Sequence, residues 1–102
     1  DCKNGPFLCS QSHGGSFTHF TESTQHAVDL ECPCGTPVLS VGDGEICEVG
    51  DKEECCGCWA ENLFHWNSIM LKLDQPEGLF VEYVHIMTGS AKVEKGQRVV
   101  KG

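Results

Sequence analysis

Short runs in which apolar and polar residues alternate, separated by turns rich in glycine and proline, make up most of this sequence. Residues 68–73 alternate in this way and put Ile69, Leu71 and Leu73 on one face of an extended chain. A period of two is typical of a half-buried β-strand. Residues 79–87 follow a proline-glycine turn and form the longest strand candidate. The pattern therefore predicts two strands in this part of the chain.

Further strand candidates are bounded by the same turn residues. They are residues 27–31, ending at Pro33 and Gly35; residues 37–41, ending at Gly42-Asp43-Gly44; residues 45–49, as a hairpin partner of 37–41; and Val93 and Val99-Val100, which flank Lys95-Gly96. Residues 50–63 are polar and cysteine-rich, and we interpret them as a stapled loop. No segment shows helical periodicity. The sequence therefore predicts one all-β domain over residues 1–102, with antiparallel sheets and little or no helix.

The cysteine content narrows the class of protein. Eight cysteines in 102 residues are many for a chain of this length, and their number is even. Disulfides persist in oxidising compartments, and small secreted domains depend on them. The chain begins at Asp1 rather than at methionine, which suits a mature secreted product without its signal peptide. We therefore expect a secreted, disulfide-stapled protein with at least six of the eight cysteines in disulfides.

A thiolate metal cluster is the alternative use of the cysteines. Cys32-Pro33-Cys34 and Cys55-Cys56-Gly57-Cys58 are closely spaced, and Cys47 lies between them in the sequence. Zinc accepts thiolate ligands. The spacing matches no standard zinc-ribbon pair, however, and a secreted context favours disulfides.

The charge excludes one class of partner. The formal net charge is −8, which argues against nucleic acid, because phosphate binding needs basic patches. Acidic residues crowd positions 43–54, whereas four of the seven basic residues lie in positions 92–101. We interpret these segments as two solvated surfaces of opposite sign. No apolar run is long enough to span a membrane.

Asp29 and His85 are polar residues within apolar strand candidates. Strand alternation puts Asp29 on the face opposite Val28 and Leu30, so the simplest interpretation is a carboxylate on the solvent face of a sheet. His85 shares a face with Tyr83, where an imidazole is either hydrogen-bonded in the core or aimed into a site. The residues alone favour the core role for His85.

Four segments carry short motifs in a fixed order. They are Gln11, Gly15 and Phe17-Thr18-His19; Ala27-Val28-Asp29-Leu30 with Gly35-Thr36-Pro37-Val38 and Asp43-Gly44; Phe80-Val81-Glu82-Tyr83-Val84-His85-Ile86; and Gly89-Ser90, Val93, Lys95-Gly96-Gln97 and Val99-Val100-Lys101-Gly102. Together they resemble the zinc metallo-endopeptidases of the lysostaphin/LytM type. The resemblance covers residues 11–102 and implies antiparallel sheets of the duplicated-hybrid-motif type.

The resemblance also implies a site, position by position. His19 corresponds to the first zinc ligand in the branch of the family whose histidine lies further upstream, and Asp29 corresponds to the aspartate ligand. His85 corresponds to the non-ligand histidine that faces the zinc-bound water and the scissile carbonyl. Where the common form of the family has its first histidine, this sequence has Gln25, and His26 is a rival for the ligand role. The implied cofactor is Zn²⁺.

One departure from the family concerns the third ligand. In the family it comes from a His-X-His pair beyond the last matching strand, and no histidine follows His85 here. A catalytic zinc needs three protein ligands, so we expect the domain to be incomplete in this chain. The implied activity is hydrolysis of peptide or peptidoglycan cross-links. The alternative is a non-catalytic extracellular binding or structural module with the same fold, whose partner is another extracellular protein or a separate chain that completes the domain.

Overall fold

Strands are the regular secondary structure of the described part of the chain, which in this computed structural model comprises residues 7–12, 25–52 and 67–102. The strands are β1 (Leu8–Gln11), β2 (Asp29–Glu31), β3 (Gly44–Gly50), β4 (Ser68–Leu73), β5 (Phe80–Val84) and β6 (Arg98–Val99). No helix occurs in these residues, and every strand pairing is antiparallel, so the predicted all-β fold is confirmed. Across the same residues there is accordingly no helix with the length and apolar character needed to cross a membrane.

The chain divides into two compact units, Asp1–Pro37 and Val38–Gly102. In the first unit β1 and β2 form a two-stranded antiparallel ribbon, in which Cys9 pairs with Leu30. The register is irregular after Cys9, so that Gln11 lies opposite Asp29. This irregularity matters for the candidate site, because it brings an amide and a carboxylate face to face.

The second unit contains a four-stranded sheet with the order β5-β4-β3-β6. Ile46 on β3 pairs with Leu71 on β4, and Leu71 pairs with Val81 on β5, so one apolar row crosses three strands. A register shift between Ile46 and Glu48 interrupts the β3–β4 ladder. Such an irregularity bends the strand and increases its twist.

The core of this unit lies on one face of the sheet. Ile46, Leu71 and Leu73 are buried, as the alternation in residues 68–73 predicts for the two leucines. The partly buried apolar residues packed against them are Val49, Ile69, Val81, Tyr83, Val93 and Val99. Burial of this face supplies the hydrophobic contribution to folding of the second unit.

The predicted strand over residues 37–41 is wrong, and so is its hairpin with residues 45–49. The physical reason is that the start of β3, where such a hairpin would begin, already pairs with β4 on one side and with β6 on the other. Residues 37–41 instead bond irregularly: the Val41 N–H donates to the Tyr83 hydroxyl at 3.0 Å. The Ser40 carbonyl accepts from the Gly102 N–H at 2.9 Å.

The disulfide framework is not confirmed. Cys9, Cys32, Cys34 and Cys47 carry free thiols, and the other cysteines lie outside the described residues. The predicted stapled loop over residues 50–63 also lies outside them, apart from positions 50–52. At least six cysteines in disulfides therefore stays a prediction.

Intact mass measured with and without reductant, after alkylation, tests that prediction. We expect the unreduced protein to take up no more than two alkyl groups, because a small secreted domain with this cysteine density is usually cross-linked. Uptake of more than two would contradict the disulfide framework.

An exposed ion pair links the β4–β5 connection to β6. The Arg98 guanidinium donates to Asp74 Oδ1 at 2.8 Å and also to Oδ2. The hydrogen bond from Arg98, with its positive charge, lowers the pKa of Asp74 below its ordinary value of 3.8. A carboxyl with a lowered pKa in the folded state stabilises the fold above its unfolded pKa, and that contribution is lost as the pH falls through the folded pKa.

We therefore expect Asp74→Asn to lower the urea midpoint slightly at pH 7 and to have a smaller effect at about pH 2, because acid protonates the wild-type carboxyl and removes its contribution. Both groups are exposed, so the difference at pH 7 should also shrink in about 1 M salt. Urea unfolding at the two pH values checks this. An equal loss of stability at both would show that Asp74 acts through something other than its charge.

Candidate functional site

His85 lies just outside the strand that the sequence assigned to it. Strand β5 ends at Val84, and the next residue, His85, has a left-handed backbone with φ of 60°. Its side chain is exposed, whereas Val81 and Tyr83 on the preceding strand are half-buried against the core. The predictions that His85 shares a face with Tyr83 and has a core role are therefore wrong. The physical reason is that the left-handed residue turns the chain out of the strand before it can continue the alternation.

The backbone of His85 is unusual for a residue with a side chain. Left-handed conformations are rare outside glycine, although histidine, asparagine and aspartate adopt them more often than other residues do. They persist where the surrounding structure holds them, and they cluster at functional sites. The backbone of His85 thus points to this residue independently of the resemblance.

Asn67 holds the chain that follows His85. It is 3% exposed and is the buried polar residue of the described chain. Its Nδ2 donates to the Ile86 carbonyl at 3.1 Å and to Thr88 Oγ1 at 3.2 Å. Sequence reasoning missed Asn67, because an asparagine ahead of an alternating strand has no periodic signal that distinguishes it from a turn residue.

Two further contacts fix the same segment. The Gly89 N–H donates to the Asp51 carbonyl at 2.8 Å. The Ser90 hydroxyl and N–H both donate to the Met87 carbonyl, at 2.6 Å and 3.1 Å. The residues after His85 are therefore bonded to the residue just before β4, to the residue just after β3 and to one another.

Tyr83 is a packing residue. It is half-buried, packs against the core and accepts the Val41 N–H with its hydroxyl. A half-buried aromatic ring with a hydrogen-bonded hydroxyl contributes both apolar area and a polar contact.

Asp29 is the first residue of β2 and is half-buried. Its Oδ2 accepts a hydrogen bond from Gln11 Nε2 at 3.1 Å. Val28 and Leu30 are each 57% exposed, whereas Asp29 is half-buried, so Asp29 does not lie on the more exposed face of this strand. The ribbon in the described residues has only two strands, and the irregularity after Cys9 turns Gln11 towards the carboxylate.

Of the two histidines that are candidate zinc ligands, the structure describes only one. His19 lies outside the described residues. His26 is exposed in a turn at residues 25–26 and is not part of β2. Within residues 7–12, 25–52 and 67–102 no group of three or more histidine, cysteine, aspartate or glutamate side chains is arranged to hold a metal ion. The described residues therefore supply one implied ligand, Asp29, and do not by themselves fit a catalytic zinc ion.

Comparison with known proteins gives no relative: no protein-family model, no curated protein and no solved structure matches the chain. The class that the described residues define is an all-β protein with a two-stranded ribbon in one unit and a four-stranded antiparallel sheet in the other. Function must be argued from the site, because a fold class of this kind serves many activities.

Proposed function

We propose that this chain is part of a secreted, lysostaphin/LytM-like zinc metallo-endopeptidase domain that acts on peptide or peptidoglycan cross-links and is incomplete in these 102 residues. The observation that carries the proposal is the placement of His85. It is exposed, follows directly after the strand that resembles the family's tyrosine-histidine strand, and has a left-handed backbone. Strained, well-held residues of this kind are typical of catalytic and binding sites.

The proposed role of His85 follows from its chemistry. An imidazole exchanges protons near neutral pH and acts as either donor or acceptor. Placed beside a peptide carbonyl, it donates a hydrogen bond to the oxygen as negative charge develops there, or transfers a proton to the departing amine. An exposed position at the end of a strand leaves room for an extended peptide to approach.

Zinc is the proposed cofactor, with Asp29 and His19 as its proposed ligands in this sequence. The half-buried carboxylate of Asp29 suits a ligand, because its hydrogen bond from Gln11 fixes the orientation of one oxygen. Two ligands are too few for a catalytic zinc site. A third ligand therefore has to be supplied by residues other than those that resemble the family here.

The second candidate function is a non-catalytic extracellular module with the same fold. What favours it is the exposed face of β5, an edge strand of the four-stranded sheet in the described residues, on which the apolar Phe80 and Val84 flank Glu82. Phe80 and Val84 on that strand are 53% and 41% exposed. An apolar strand at a sheet edge readily pairs with another chain. The partner would be another extracellular protein, or a separate chain that completes the domain.

Zinc binding and cleavage together distinguish the two functions. We expect the 102-residue protein to bind zinc weakly and to leave glycine-rich and cell-wall peptides uncut, because its ligand set is incomplete. A separate peptide strand carrying a His-X-His pair should tighten zinc binding in calorimetric titration. Cleavage that appears in the same sample, detected by mass spectrometry, would support the peptidase.

Variants of the implied residues serve as controls in that experiment. Asp29→Ala and His19→Ala should abolish the gain in zinc affinity, whereas His85→Ala should retain it and lose cleavage, typically about 10²–10⁴-fold for a proton-transferring residue. Tight zinc binding without any cleavage would favour the non-catalytic module. Robust cleavage by the 102-residue protein alone would show that the ligand set has been misassigned.

A further inference from the structure

We propose that Asn67 is a positioning residue for His85: its buried amide holds the chain after His85 and thereby fixes the left-handed backbone that carries the exposed imidazole. This proposal rests on the proposed function, in which His85 contacts the peptide substrate. It concerns a residue just before β4 that neither the alternation pattern nor the resemblance identifies.

The register of the sheet puts Asn67 directly opposite His85. Ser68 pairs with Val84 at the end of the β4–β5 ladder, so one further step would pair Asn67 with His85. The ladder stops at that step instead. At His85 the chain turns away with φ of 60°, and the side chain of Asn67 donates to the carbonyl of the next residue, Ile86.

Two hydrogen bonds of Asn67 reach residues beyond His85. One is to the Ile86 carbonyl, the first peptide after the turn, and the other is to Thr88 Oγ1 two residues later. The ladder fixes Val84 on one side of His85, and the hydrogen bond from Asn67 fixes Ile86 on the other side. The backbone of His85 is therefore held at both ends. Left-handed residues with a side chain persist where the surrounding structure holds them, as these contacts on both sides of His85 do.

Burial makes these bonds decisive. Asn67 is 3% exposed, so water does not readily replace a lost partner. An unsatisfied amide in such a place is unfavourable, which favours the one chain path that satisfies both donor hydrogens. If Asn67 could not donate, the Ile86 carbonyl would be free to rotate, and His85 would relax towards an ordinary extended or helical backbone.

The test is an NMR comparison that needs no enzymatic activity. Asn67→Leu keeps a side chain of similar size and removes both donors. We expect scalar couplings to show that His85 loses its positive φ, and the long-range imidazole ¹⁵N–¹H spectrum to show a changed tautomer balance. The methyl signals of Leu71 should stay at their wild-type positions, which shows that the core is intact.

A matched control and a second variant keep the result decisive. Ser90→Ala removes a hydroxyl bond in the same segment but away from His85, and should leave both His85 signals unchanged. If Asn67→Leu does not fold, Asn67→Thr takes its place, because its single hydroxyl proton can serve only one of the two acceptors. An unchanged φ and imidazole spectrum of His85 in a folded Asn67 variant would overturn the proposal.

The outcome for Asn67 is separable from the proposed function. If the Asn67 variants alter His85 and His85→Ala abolishes cleavage by the protein supplemented with the His-X-His strand, both proposals are supported. If the Asn67 variants alter His85 but that protein binds zinc without any cleavage, the positioning role stands and the peptidase fails. If His85 is unaffected, the positioning role fails whatever the cleavage assay gives.

Discussion

Truncating Leu71 to alanine should cost about 2–5 kcal/mol of unfolding free energy, a large part of the roughly 5–15 kcal/mol that a small domain has. Leu71 is 0% exposed and lies at the centre of the buried cluster, between Ile46 on β3 and Val81 on β5. Removing its side chain loses the transfer free energy of the buried methyl groups and leaves a cavity that a paired sheet cannot close. Urea unfolding followed by tryptophan fluorescence or circular dichroism measures the change.

Leu79→Ala is the matched control for this experiment. It makes the same chemical change in the same unit, but Leu79 is 46% exposed and lies in the connection before β5. We expect its effect to stay within about 0.5 kcal/mol, as for most surface substitutions. Equal losses for both variants would mean that Leu71 is not part of the cooperative core.

The sequence predicts the sheet of the second unit well, because its signal is the period of two. Residues 68–73 alternate, and Leu71 and Leu73 are buried as the alternation requires. The predicted strand over residues 45–49 becomes β3 with one more residue at each end, Gly44 and Gly50. Periodicity reports which face a sheet buries, so it identifies core strands reliably.

Strand ends and irregular segments could not be predicted, because they depend on long-range bonds. Residues 37–41 look like a strand, yet the backbone of Val41 bonds a tyrosine hydroxyl and that of Ser40 bonds Gly102. Strand β1 lacks the alternation of apolar and polar residues that would predict it. The pattern predicts one strand over residues 79–87, but β5 ends at Val84. The alternation of apolar and polar residues does not show where this strand ends, because it carries no signal of the left-handed backbone of His85.

The candidate site divides in the same way. The sequence singled out Asp29 and His85 as polar residues in apolar surroundings, and both occupy distinctive positions in the structure. The hydrogen bonds around these two residues were not predicted. Gln11 donates to Asp29 because the register of the ribbon is irregular, and Asn67 bonds the chain after His85, about twenty positions away in the sequence. Such partners depend on tertiary contacts and cannot be read from local sequence.

The second large effect is expected at Gly44, the first residue of β3. A Cβ atom there would lie 2.2 Å from the Lys72 carbonyl oxygen and 2.9 Å from Leu71 Cδ1. Gly44 pairs with Leu73 on one side and Val99 on the other, so neither neighbouring strand is free to move away. Gly44→Ala should therefore destabilise the protein by about 1–3 kcal/mol or more, as overpacked sites do.

Gly50→Ala separates this close approach from the general effect of replacing a glycine. Gly50 ends the same strand, and its Cβ would meet the Ser68 carbonyl oxygen at an ordinary 3.9 Å. Alanine restricts the unfolded chain more than glycine does, so this substitution should be neutral or stabilise by about 0.4–1 kcal/mol. Urea midpoints of the two variants, measured beside the wild type, should move in opposite directions or at least differ clearly. A Gly44→Ala protein as stable as Gly50→Ala would mean that β3 and β4 do not approach each other as closely as the structure shows.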